Sequence, residues 1–136
     1  MEPLFQLDID LLLISTKQKL MQQHEYSQIT CIERLSNLFK NGGAASKEAV
    51  LSKLIKFDIL STVFELLQTP SERLLPCVLD FINLIIVYRK FYEYHIAKEA
   101  TDSILKVTVC ILKSRSKETQ LIHKLISTIY DILQRL

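Results

Sequence analysis

Cysteine and histidine are the residues of this chain that could bind a metal ion or act as nucleophiles. The 136 residues include Cys31, Cys77, Cys110, His24, His95 and His123. None of the six has a second ligand at the spacing of a zinc site, and the chain lacks Gly-x-Gly-x-x-Gly, Gly-x-Ser-x-Gly and His-Glu-x-x-His sequences. The sequence therefore predicts no metal, no cofactor and no catalysis. We interpret the cysteines as small core residues of a protein in a reducing compartment.

Other polar residues are suited to binding a partner through hydrogen bonds. Asp80 and Asn83 are the only polar residues between Cys77 and Val87. Because they are three residues apart, they form one stripe on an otherwise apolar helix. Buried polar groups need partners, so this stripe faces either a groove or a polar contact between neighbouring units of the fold. Asn37 is a second candidate, or a plain surface residue.

Composition indicates one helical domain covering residues 1–136. Hydrophobic residues make up 49% of the chain and charged residues 24%, and two glycines with three prolines leave little material for the turns of an all-β fold. A net charge of +2 does not favour nucleic acid or an anionic membrane as partner. The densest apolar run is too short to cross a bilayer, and acidic residues precede the first apolar run where a secretion signal would be basic. We expect an intracellular protein of the cytoplasm or nucleus.

The spacing of apolar residues predicts the helices that position these side chains. Each boundary rests on capping residues, glycine or proline. The predicted helices cover 4–21, 25–40 (stopped by Asn41-Gly42-Gly43), 47–56 (capped by Ser46), 59–69 (capped by Asp58), a central helix to 88 with a late start or a kink at Pro76, 89–100, one capped by Thr101-Asp102, and 117–136.

The chain contains an internal repeat. Ile59-Leu60 and Leu66-Leu67 recur forty-five residues later as Ile104-Leu105 and Ile111-Leu112, and match Leu13-Ile14 and Leu20-Met21 forty-six residues earlier. This period is typical of helical solenoids. It predicts three units at about 4–43, 44–88 and 89–136.

Two segments of the repeat resemble the armadillo family, a relative of the HEAT family. They are Leu35-Ser36-Asn37-Leu38 and Phe81-Ile82-Asn83-Leu84, which resemble its Leu-x-Asn-Leu signature; Ile126-Ser127-Thr128-Ile129 is the third copy. The resemblance implies an all-α, right-handed α-solenoid of about three repeats and six to eight helices. It also implies that the asparagine lines a concave groove and hydrogen-bonds an extended peptide. Without tryptophan, the chain lacks the family's means of recognising nuclear-import signals.

These observations predict a non-catalytic protein–protein interaction module, a scaffold or adaptor that binds an extended or helical segment. The predicted partner-binding residues are Asn37, Asp80, Asn83, Thr128, Arg34 and Lys124. One alternative is a helical repeat that binds nucleic acid through basic turns such as Lys113, Arg115 and Lys117. Another is the terminal part of a larger solenoid, whose last helix exposes an apolar face and self-associates.

Overall fold

Helices make up 82% of the protein, which confirms the predicted all-α class. The computed structural model describes residues 2–40, 43–69, 71–93, 95–114 and 118–136, and the side chains of all of these except 2–9, 44 and 45. Within these ranges the helices are α1 (Glu2–Met21), α2 (Glu25–Asn37), α3 (Ala44–Lys56), α4 (Ile59–Glu65), α5 (Leu74–Ile85), α6 (Lys90–Glu93), α7 (Ile96–Lys113) and α8 (Thr119–Arg135), with a 3₁₀ turn at Leu66–Gln68. No described helix is long and apolar enough to span a membrane.

Helix α3 begins earlier than the sequence predicts. The N–H group of Lys47 donates to the carbonyl oxygen of Gly43 at 3.2 Å, so the helical hydrogen bonds start there. Ser46 consequently lies inside the helix, and its predicted capping role is wrong. Helix α2 ends at Asn37, before the predicted end at Lys40. The predicted stop at Asn41 and Gly42 lies outside the described residues, as does the predicted start of the last helix at Lys117.

Helix α7 contains the position where a helix break was predicted. It continues from Ile96 to Lys113, and the hydroxyl of Thr101 donates to the carbonyl oxygen of Ala97 at 2.8 Å instead of capping a new helix. Ala97, Ala100 and Ile104 are buried on one side of α7. Their packing favours a continuous helix over the capping preference of Thr101-Asp102.

The central apolar stretch forms α5, and its late start agrees with the prediction. Pro76 is the third residue of α5, a position where no backbone N–H group has an intrahelical partner, so proline costs no hydrogen bond there. The hydroxyl of Ser71 accepts from the N–H group of Leu74 at 3.1 Å. Phe81, Ile82 and Ile85 of α5 are completely buried.

Asp58 joins α3 to α4 in a left-handed conformation, with φ 58° and ψ 31°. Its side chain makes no capping hydrogen bond, contrary to the predicted role. The carboxylate lies 3.8 Å from the ammonium group of Lys17 on α1. Asp58 therefore contributes to the contact between α1 and α4 instead of capping α4.

Each helix packs against the helix that lies three positions earlier or later in the chain, and these contacts arrange the helices in rows. Helix α4 contacts α1 and α7, α5 contacts α2 and α8, and α3 contacts α6. Neighbours in the chain, such as α1 with α2 and α7 with α8, pack across these rows. The buried core is continuous through these contacts, from Leu13 of α1 to Ile132 of α8.

Candidate partner-binding groove

A groove of about 850 Å³ runs between α2 and α5. It contains two of the predicted partner-binding residues, Asn37 and Asp80. The residues that line it are Tyr26, Ile29, Glu33, Ser36, Asn37, Lys40, Arg73, Cys77, Asp80 and Leu84. The groove thus lies between the helices that carry the two Leu-x-Asn-Leu segments.

The groove combines apolar surface with charges of both signs. Ile29 is a partly buried hydrophobic residue packed against the core, whereas Tyr26 is 76% exposed. Glu33 and Asp80 contribute negative charge, and Lys40 and Arg73 contribute positive charge. Surfaces of this mixed kind bind peptide segments that bring both apolar and polar groups.

Asn37 presents an unoccupied side-chain amide to this groove. Asn37 is exposed near the end of α2, and its amide makes no hydrogen bond with the described part of the chain. A primary amide has both donors and acceptors, which match the C=O and N–H groups of a peptide backbone. Asn37 is therefore free to hydrogen-bond a ligand without breaking a contact within the protein.

Asn83 is engaged within the protein instead. Its amide nitrogen donates to the carbonyl oxygen of Leu79 at 3.1 Å, and its amide oxygen accepts from the hydroxyl of Thr128 on α8 at 3.1 Å. Thr128 is buried, with 1% of its surface exposed. These contacts join α5 to α8.

Asp80 and Lys124 form an ion pair beside the Asn83–Thr128 contact. Both side chains are substantially exposed, so water and salt weaken the attraction and the pair adds little to stability. Asp80 also borders the groove, so its carboxylate is within reach of a ligand there.

The predicted site residues therefore fall into three places. Asn37 and Asp80 line the groove, while Asn83, Thr128 and Lys124 belong to the contact between α5 and α8. Arg34 is exposed on α2 but does not line the groove. Partner binding by these residues remains a prediction, and the geometry shows which side chains are free for it.

Cys77 is a groove residue that the sequence analysis treated as core. Burial raises the pKa of its thiol, and the negative charges of Glu33 and Asp80 raise it further. The thiol thus stays protonated at neutral pH and is a poor nucleophile. Cys77 is therefore suited to contacting a ligand in the groove and not to reacting with it.

Glu48 makes a contact that the sequence analysis missed. Its carboxylate accepts from the backbone N–H groups of Arg89 and Lys90 at 2.7 and 3.1 Å and so joins α3 to the beginning of α6. The ammonium group of Lys90 lies 3.1 Å from Glu93. The carboxylates of Glu48 and Glu93 thus lie beside the basic pair at this turn, which reduces its attraction for a phosphate backbone.

A second cavity of about 850 Å³ lies between the 3₁₀ turn, the start of α5, the end of α7 and the start of α8. Residues 115–117, between α7 and α8 in the chain, are outside the described ranges. None of the six predicted site residues lines it. The groove between α2 and α5 is consequently the better candidate.

Among the described residues, no group of three or more His, Cys, Asp or Glu side chains is arranged so that it could hold a metal ion. Comparison with protein-family models, with curated proteins and with solved structures gave no match. The function is therefore argued from the geometry of this chain.

Proposed function

We propose that this chain is a non-catalytic protein-interaction module that binds a segment of a partner protein in the groove between α2 and α5. The observation that supports this role is the free amide of Asn37 beside apolar and charged groups in that groove. A groove of this kind binds peptide through backbone hydrogen bonds and selects among sequences through its side chains.

The proposed architecture is a right-handed α-solenoid of about three armadillo-like units. In support, α3, α4 and α5 are followed by α6, α7 and α8, and corresponding helices contact each other along the rows. Helices α1 and α2 take the places of the second and third helices of a unit, since they contact α4 and α5. The groove then lies on the surface formed by the third helices.

The bound segment is an extended chain with a basic residue near Glu33 and Asp80. Asn37 hydrogen-bonds its backbone, and an apolar side chain contacts Ile29 and Leu84. Lys40 and Arg73 favour an acidic residue elsewhere in the segment. Recognition by charges of both signs gives specificity more than affinity.

Selection of peptides from a displayed random library tests this role. Peptides that bind the wild-type chain are measured by calorimetry against Asn37→Ala, with Arg34→Ala as a matched control on the same helix outside the groove. Loss of one buried hydrogen bond costs about 1–3 kcal/mol, so Asn37→Ala is expected to weaken binding by about fivefold to a hundredfold. Arg34→Ala is expected to leave the affinity unchanged.

Two outcomes would contradict the proposal. One is that the library yields no peptide that binds the wild-type chain. The other is that Asn37→Ala and Arg34→Ala have equal effects on every selected peptide. Circular dichroism of each variant separates loss of binding from loss of folding.

A further inference from the structure

Helices α7 and α8 expose an apolar surface away from the groove. Leu105, Val109 and Leu112 follow one stripe of α7, and Ile126, Tyr130 and Leu133 follow one stripe of α8. Each of the six exposes between 45% and 59% of its surface. We call these six residues the α7–α8 face.

The α7–α8 face points away from the helices that precede it. On α8, the contacts with α5 come from Lys124 and Thr128, which lie on the opposite flank from Ile126 and Leu133. On α7, Ser103 lies on the flank that contacts the 3₁₀ turn, where its carbonyl oxygen accepts from Gln68 at 3.0 Å. The face is thus the side of the last helix pair that no described helix covers.

The size of this face matches the requirement of a protein–protein interface. A large hydrophobic residue has roughly 200 Å² of surface, so six half-exposed residues present on the order of 600 Å². That is at the upper end of the roughly 300–600 Å² found for the largest apolar patch of a monomer. Stable interfaces bury about 800 Å² per partner, so the polar residues around this face would have to contribute roughly the remaining 200 Å².

Two unpaired charges border the α7 stripe. Asp102 and Lys113 are exposed, and neither forms an ion pair with the described part of the chain. They are eleven residues apart, about three helical turns, so they lie on the same edge of the stripe near its two ends. An antiparallel second copy of α7 would bring Asp102 of each chain beside Lys113 of the other.

We propose that a second copy of this chain covers the α7–α8 face in a twofold-symmetric dimer. Helix α7 packs antiparallel against α7 of the second copy. The twofold axis passes beside α7 between Lys106 and Val109, so the two Asp102–Lys113 pairs form symmetrically. This dimer leaves the groove between α2 and α5 open, and it does not depend on the function proposed for that groove.

Exchange of the two charges tests this arrangement by sedimentation equilibrium. The wild-type chain is expected to dimerise as its concentration rises through the micromolar range. Asp102→Lys and Lys113→Asp alone place like charges together twice in each dimer and should weaken association about tenfold or more. The double variant restores opposite charges and should return the affinity to within about threefold of wild type. Leu112→Glu, which places a charge within the apolar stripe, is expected to abolish the dimer.

One control variant and three possible outcomes test the proposed dimer. Glu65→Lys changes an exposed acidic residue of α4 outside the face and should leave association unchanged. The proposal is overturned if the wild-type chain stays monomeric at every concentration, if Leu112→Glu dimerises as wild type does, or if the double charge variant associates as weakly as the single ones. Unchanged circular dichroism of each variant ensures that folded chains are compared.

Discussion

The hydrogen bond between Asn83 and Thr128 gives the sharpest test of how α5 and α8 are joined. The perturbation is Thr128→Val, which removes the hydroxyl and keeps the shape of the side chain. In the wild type this hydroxyl lies 3.1 Å from the Asn83 amide oxygen and 2.9 Å from the carbonyl oxygen of Lys124. Having one hydrogen, it donates to one of these oxygens at a time.

The expected magnitude follows from the burial of the pair. Thr128 is fully buried and Asn83 is half-buried. In the variant the amide oxygen of Asn83 therefore loses a hydrogen bond that water can replace only in part. We expect Thr128→Val to lower the free energy of unfolding by about 0.5–1.5 kcal/mol. Asn83→Ala should cost more, since it also removes the bond to Leu79. The two substitutions together should show a coupling of about 0.5–1 kcal/mol.

Urea denaturation of the wild type, both single variants and the double variant measures this coupling. Ser127→Ala serves as control because Ser127 is exposed on the same helix and makes no side-chain hydrogen bond within the described ranges. Its effect should stay below about 0.5 kcal/mol. A coupling within about 0.3 kcal/mol of zero would show that Asn83 and Thr128 do not interact, and the proposed role of this hydrogen bond in joining α5 to α8 would then be wrong.

Three further predictions use other contacts of the fold. Glu48→Ala should lower the free energy of unfolding by about 1 kcal/mol and Glu48→Gln by less, since the amide keeps one acceptor oxygen for the start of α6; thermal unfolding measures both. Iodoacetamide at neutral pH should alkylate exposed Cys110 first, Cys77 more slowly and buried Cys31 last, because burial raises the thiol pKa of the latter two; mass spectrometry gives the order. Tyr92→Phe should cost about 1 kcal/mol at pH 7, through loss of a 2.6 Å hydrogen bond to a backbone carbonyl. Burial raises the pKa of Tyr92 in the folded state. The contribution of Tyr92 to the free energy of unfolding is therefore complete below the unfolded-state pKa of about 10 and is lost as the pH rises through the folded-state pKa. Urea denaturation should show the difference in stability between wild type and Tyr92→Phe shrinking as the pH rises from about 10 through the folded-state pKa.

The helical class was predictable because apolar periodicity is a local property of the sequence. The boundaries that failed were those where two local signals compete. Thr101 and Asp102 are good capping residues, yet Ala97, Ala100 and Ile104 pack on one side of a continuous helix. Ser46 is likewise a good cap, but helical hydrogen bonds already begin at Gly43. Tertiary packing decides such cases, and a single sequence does not contain that information directly.

The polar stripe of α5 was predictable, but its partners were not. The sequence left two alternatives for Asp80 and Asn83, a groove or a contact between units. Asp80 lines the groove and also pairs with Lys124, whereas Asn83 contacts Thr128. Deciding between the alternatives requires the position of α8 relative to α5, which depends on the packing of the rows. Glu48 was missed for the same reason, since the N–H groups that donate to its carboxylate lie forty-one and forty-two residues away.

The packing in rows also determines how far along the chain each contact reaches. The hydrogen bond that joins α5 to α8 spans forty-five residues, and the one from Glu48 to Arg89 spans forty-one. Contacts of this range close loops of about a third of the chain, and their entropic cost grows only slowly with length. During synthesis, α4 and α5 can therefore pack on α1 and α2 before α8 has left the ribosome.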